Sequence, residues 1–168
     1  GGMVCEEMLD EAFVIVRGIH DRYDPIKHNP WNEIECGDHY ARALASWGVF
    51  LALGGYEYHG PRGHLAFAPR LNADDFKTAF TTAEGWGLYE QKKDKDGERA
   101  SIELAWGTLQ MKTLAVALDD DQPSKDVSVR LNRKRLNTKT EGADGRLTIR
   151  FPDELKMKAG DRLEIAIV

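Results

Sequence analysis

Cysteine is scarce in this chain. Cys5 and Cys36 are the two among 168 residues, too few for the disulfide framework on which small exported domains rely. No apolar leader of signal-peptide type opens the chain, which begins with an amphipathic pattern, so a cytoplasmic location is expected. Long hydrophobic runs are missing too: Ala43–Leu53 stops after 11 residues at Gly54-Gly55, well short of the roughly 18 a membrane helix needs, and no membrane insertion is expected. Positive charge is in deficit. With 23 Lys and Arg against 28 Asp and Glu the net charge is -5, which argues against a nucleic-acid partner. The basic stretch "RLNRKRLNTK" at 130–139 reads as a solvated strand and turn. There is no internal repeat, no Gly-x-Ser-x-Gly elbow and no phosphate-cradling glycine loop.

What is present is a globular composition, 42% hydrophobic and 30% charged, on a chain long enough for one ordinary domain or two small ones. Val4, Met8, Ala12, Ile15, Ile19 and Tyr23 recur at steps of three and four, one face of a helix from Met3 to about Tyr23. Acids near its start and bases near its end suit the helix dipole. Asp38 is a plausible N-cap for a second helix reaching Leu53, with Gly54-Gly55 to end it. "ALASWGVFLAL" leaves so little polar surface that this helix is expected to be buried all round, Trp47 included. His64–Ala68 reads as a short strand, and "NADDFKTAFTTAEGWGLYEQ" as a helical turn capped at Asn72 that becomes extended around Trp86. Beyond Lys92 short alternating runs dominate: 101–106, 110–118, 127–131, 146–151 and 162–168, separated by turn signals at 106–107, 119–123, 142–145 and 159–161. Pro152-Asp-Glu-Leu155 reads as a connection between the last two. The expectation is a helical front and an all-β, sandwich-like back, divided as residues 1–91 and 92–168.

Candidate chemistry gathers in the front. Cys36-x-x-His39 and His59-x4-His64 lack the close paired spacings of zinc modules, and Asp119–Asp121 lacks the glycine and bidentate glutamate of a calcium loop, so no metal and no cofactor are expected. In "HNPWNEIECGDHYAR", Glu33 and Glu35 are two apart and face one side of an extended loop, while Arg42 lies one helical turn beyond Asp38. An Asp38–Arg42 ion pair with solvated glutamates accounts for that spacing. So does a sugar site, because Trp31, Tyr40, Trp47 and Trp86 put aromatic faces in the same half, and a pyranose wants rings for its apolar face and charged bidentate groups for its hydroxyls. Trp31 is the best placed of these.

Three strings in order, "NPWNEIECGDHYARALASWGVFLAL", "YEYHGPRGHLAFAPRL" and "FTTAEGWGLYEQ", resemble the C-terminal end of the catalytic domain of glycoside hydrolase family 116, the family of bile-acid β-glucosidase or non-lysosomal glucosylceramidase. The resemblance runs from about Gly2 to Gln91. It implies an α+β chain whose N-terminal helices close an (α/α)6-barrel catalytic region, followed by the β segment. It implies retaining β-glucosidase chemistry, with Glu33 and Arg42 binding outer hydroxyls of glucose beside Trp31. In the family the nucleophile and the acid/base lie upstream of the matching segment. No catalytic residue is therefore assigned, and the isolated chain is expected to be inactive. The implied partners are glucose or a β-glucoside, and a second copy or the remainder of a helical barrel to cover the apolar helix faces. Two other functions fit the same residues: a non-catalytic carbohydrate-binding module that uses the β half, and an assembly module.

Overall fold

The computed structural model describes residues 1–22, 26, 43–95, 97–118 and 126–167, and of 43–45 the backbone alone. The chain divides into two compact units, Gly1–Leu53 and Gly54–Val168.

The first unit holds α1 (Gly2–Cys5), α2 (Leu9–His20) and α3 (Ala43–Leu53). The single helix expected from Met3 is thus broken at Glu6–Met8, where Glu7 takes φ 61° and the Met8 N–H donates to the Met3 carbonyl at 2.9 Å. An unbroken helix would set Glu6 over Asp10 and Glu7 over Glu11, like-charge pairs at i,i+4 that oppose it. Val4 and Ala12 of the apolar stripe are buried, whereas Met8, Ile15 and Ile19 are exposed. Nor is α3 buried all round: Ser46–Gly48 face solvent, Trp47 being 42% exposed. Three short helices do not carry enough surface to enclose an apolar cylinder. The Asp38 cap and Tyr23 lie outside the described residues.

The second unit is β throughout, and this corrects the expected fold class. No helical-barrel region exists among the described residues. Residues 57–91, placed above in the helical part, form β1 (Glu57–His59), a 3-10 turn (Gly60–Arg62), β2 (His64–Phe67), β3 (Asp75–Thr81) and the start of β4 (Gly85–Asp94), of which the strand at His64 and the extended chain around Trp86 were expected. Alternation explains it. In "DFKTAFT" every second residue is buried from Thr78 on, a period of two that no helix can satisfy. Asn72 does not cap a helical turn either. It sits at φ 50°, and its carbonyl accepts from the Asp75 N–H at 3.0 Å.

The expected runs beyond Lys92 fall in strands apart from Leu118, just past β5, and residue 168, which lies outside the described residues: β5 (Gly97–Ala117), β6 (Val127–Leu131), β7 (Lys134–Arg135), β8 (Lys139–Ala143), β9 (Arg146–Lys158) and β10 (Arg162–Ile167). Two boundaries differ. The signal at Trp106-Gly107 is a bend inside β5, and Pro152-Asp-Glu-Leu155 lies within β9 at a register shift opposite Met111–Thr113, a bulge where proline's missing N–H costs no ladder bond. The residue 91/92 position falls inside β4. At 21 residues β5 is far longer than an ordinary strand because it serves two sheets. Its first half lies between β4 and β10, in the order β3-β4-β5-β10-β6-β7; its second half lies between β2 and β9, in the order β1-β2-β5-β9-β8.

The inward faces of the two sheets share one core, from Leu65 and Phe67 through Phe80, Tyr89, Ile102 and Leu114 to Ile149 and Ile165. Phe67 stacks on Tyr89 at 4.0 Å between ring centroids and meets Phe80 edge-on at 5.6 Å. Such pairs contribute about 0.5–1.5 kcal/mol each beyond the area they bury. The buried Tyr89 hydroxyl donates to Gln91 Oε1 at 2.7 Å, and the Gln91 amide donates to the Ala73 carbonyl at 3.0 Å, so the polar atoms inside are satisfied. Two-residue turns close the hairpins. Asn132-Arg133 joins β6 to β7 with φ 49° and 71°, and Asp144-Gly145 joins β8 to β9 with φ 52° and 68°, both residues left-handed as a type I′ turn requires.

Candidate functional site

Glu33, Arg42 and Trp31 lie outside the described residues, as do Glu35, Asp38, Cys36 and His39. The two remaining metal candidates make ordinary contacts. His59 Nδ1 accepts from the Arg62 N–H at 3.3 Å, and His64 Nδ1 lies 2.7 Å from Thr113 Oγ1. Among the described residues no three His, Cys, Asp or Glu converge on a metal position.

Strand alternation puts Glu90, Lys92, Asp94, Arg99, Arg130, Arg162 and Glu164 on the outer face of one sheet, around a groove of about 620 Å³. The register sets them in rows. Lys77, Glu90, Ser101, Glu164 and Arg130 are successive cross-strand neighbours, and Leu88, Glu103 and Arg162 form the next row. Arg162 is the hub: Nη1 donates to Glu103 Oε2 at 3.0 Å, and Nη2 to Ser101 Oγ at 2.9 Å and Glu90 Oε2 at 3.3 Å. Glu90 also accepts from Lys77 Nζ at 2.5 Å.

These contacts decide the chemistry. The Lys77 hydrogen bond holds the Glu90 carboxyl below the usual carboxylate range; burial opposes it, and the Arg162 hydrogen bond adds to the lowering. Burial lowers the Arg162 pKa, but the bonds to Glu90 and Glu103 outweigh it and leave it raised. A glycosidase needs one carboxyl kept protonated by a raised pKa. Glu90 is the reverse of that, a carboxylate held in a bonded ionic lattice.

Along the same outer face, four residues before Glu90, stands a feature that sequence reasoning missed. Trp86 on β4 is the cross-strand partner of Trp106 on β5. Cross-strand partners share a face, and these are 48% and 62% exposed. Glycines fix the place. A Cβ on Gly107, at φ 78°, would lie 2.0 Å from the Glu84 carbonyl oxygen, one on Gly85 would lie 2.7 Å from that of Trp106, and one on Gly87 2.1 Å from that of Glu103. The strands therefore approach closely on both sides of Trp86. The signal was in the text, as "GWG" at 85–87 and "WG" at 106–107, but the residues are 20 apart in sequence and meet only by strand pairing. The same glycines explain part of the "FTTAEGWG" string as packing, as does Gly63 in "GPRGHLAFAPRL", which sits at φ 61° against Lys112.

No protein-family model and no curated protein matches the chain. Among solved structures it is similar to the alpha-L-rhamnosidase from Dictyoglumus thermophilum at 10% identity and a TM-score of 0.38, over 69% of this chain and 12% of that one. This chain thus spans about an eighth of that protein's length. The family 116 resemblance rests on the quoted strings alone.

Proposed function

We propose that this chain is the C-terminal, non-catalytic part of a family 116-type retaining β-glucosidase. Its loop 31–42 would contribute Glu33, Arg42 and Trp31 to a glucose subsite completed by residues elsewhere in the enzyme. The observation that carries the reading is the string "HNPWNEIECGDHYAR", followed in order by the two other family-like strings. A carboxylate and a guanidinium beside an indole supply bidentate partners for sugar hydroxyls and a face for the ring. The exposed Met8 and, on α2, the exposed Val14, Ile15 and Ile19 support a covering partner, either the rest of the enzyme or a second copy.

Kinetics on an aryl β-glucoside test it. The purified chain should give no hydrolysis. In the enzyme that contains it, Glu33→Ala or Arg42→Ala should each lower kcat/KM by roughly 10- to 100-fold, as loss of a charged hydrogen bond does. Unchanged kinetics in both variants, or hydrolysis by the chain alone, would refute the proposal.

A further inference from the structure

We infer that Trp86 and Trp106 form a stacking platform for β-linked glucopyranose rings, a second sugar site separate from the 31–42 loop. Three observations point there. First, neither indole belongs to the main core cluster. Both project from the outer face, outside the core, and Trp86 is flanked by Thr81 on β3 as well as by Trp106, so it guards no sheet edge. Second, the platform is rigid. The glycines at 85, 87 and 107 lock β4 against β5 where the two indoles emerge, so little entropy is lost when a ligand settles on them. Third, the surroundings are polar. Thr81 is the cross-strand partner of Trp86 on β3, and next to the glycines that flank the pair Thr108 donates to Glu84 Oε2 at 3.1 Å.

A protein partner wants a contiguous apolar patch with a polar border. Two indoles set among threonines and glutamates match a ligand whose surface is itself apolar on its faces and hydroxylated at its edge. A β-linked glucopyranose, with its hydroxyls equatorial, presents C–H groups on both faces and is such a ligand. Strand register sets Trp86 opposite Trp106 on this face, which offers two indoles to a chain of sugar rings, so an oligosaccharide should bind better than glucose.

Cellohexaose titrated into the 168-residue chain, followed through the indole N–H resonances, tests this. Saturable shifts of the Trp86 and Trp106 resonances are expected, with Trp86→Ala and Trp106→Ala each weakening binding about tenfold and Trp86→Phe restoring part of it. The same shifts in Glu33→Ala/Arg42→Ala would show that this site stands whether or not the loop holds glucose. Absence of shifts up to about 10 mM sugar, shifts confined to other indoles, or undiminished binding by the two alanine variants would overturn the inference. Mapping on the unaltered chain keeps the test valid even if a variant misfolds.

Discussion

Asp161 shows how one exposed carboxylate ties three elements together. Its Oδ2 accepts from the Lys158 N–H at 2.9 Å across the β9–β10 turn, and its Oδ1 from the Asn132 amide of the β6–β7 hairpin at 2.8 Å. The side-chain Oδ1 of Asn132 in turn accepts from the Arg162 N–H at 3.0 Å, so the hub of the ionic face is positioned by this turn. The Lys158 bond first, and the Asn132 bond second, hold the Asp161 carboxyl below its usual range. A depressed folded pKa means stability that is present above the unfolded value of about 3.9 and lost as pH falls through the folded one. Solvent screening keeps the effect small. Asp161→Asn should therefore be less stable than the native chain at pH 7, with the gap closing below about pH 4. Melting curves at several pH values check this, and a gap independent of pH would contradict it. Tyr56 is the alkaline counterpart. Burial, then the neighbouring Tyr58, pushes its hydroxyl up to about 12, so its share of stability is intact below pH 10 or so and lost as pH rises through the folded value.

At the scale of the element, β5 decides the architecture. Inward residues alternate in its first half as Ala100, Ile102 and Leu104 and in its second as Leu109 and Met111, and the phase is reset at Gly107. The bend is tied from outside. The Gly107 carbonyl accepts from the Ala159 N–H at 3.1 Å, while Leu104 exchanges bonds with the β9–β10 turn through the Asp161 carbonyl at 3.0 Å and the Gly160 N–H at 2.8 Å. Gly107→Ala must therefore both hold φ 78° and push a methyl into the Glu84 carbonyl. A loss of about 2 kcal/mol or more is expected, read as a lower urea midpoint, and an unchanged midpoint would show that the bend is not under this constraint. Much of this element was legible. The runs 101–106 and 110–118 are both real, but a glycine between two alternating runs reads as a turn unless the partners on each side are known. Gly107 bends a continuous strand because β4 and β10 pair before it and β2 and β9 after it.

Across the whole molecule, the main core belongs to the second unit alone. Every residue in that cluster lies between Tyr56 and Ile167, whereas the described part of the first unit buries little beyond Val4 and Ala12. A chain of residues 54–168 should fold by itself, with a cooperative thermal transition and a β-type circular dichroism spectrum. A broad, non-cooperative transition would show that the helices are needed for folding. No described helix is long and apolar enough to cross a membrane. The amino-acid order alone determined what depends on near neighbours: the apolar stripe of α2, the strands beyond Lys92, the turn at Asp144-Gly145, and the family-like string that contains Glu33 and Arg42. Tertiary structure decided what depends on residues far apart. It made a β-sheet of 57–91, since a period of two is rewarded only when a facing layer covers the buried side. It left the apolar α3 half exposed, because composition says how much surface wants cover and not how much cover exists. And it set Trp86 beside Trp106, because strand register, which no local pattern specifies, chooses each residue's neighbour across the sheet.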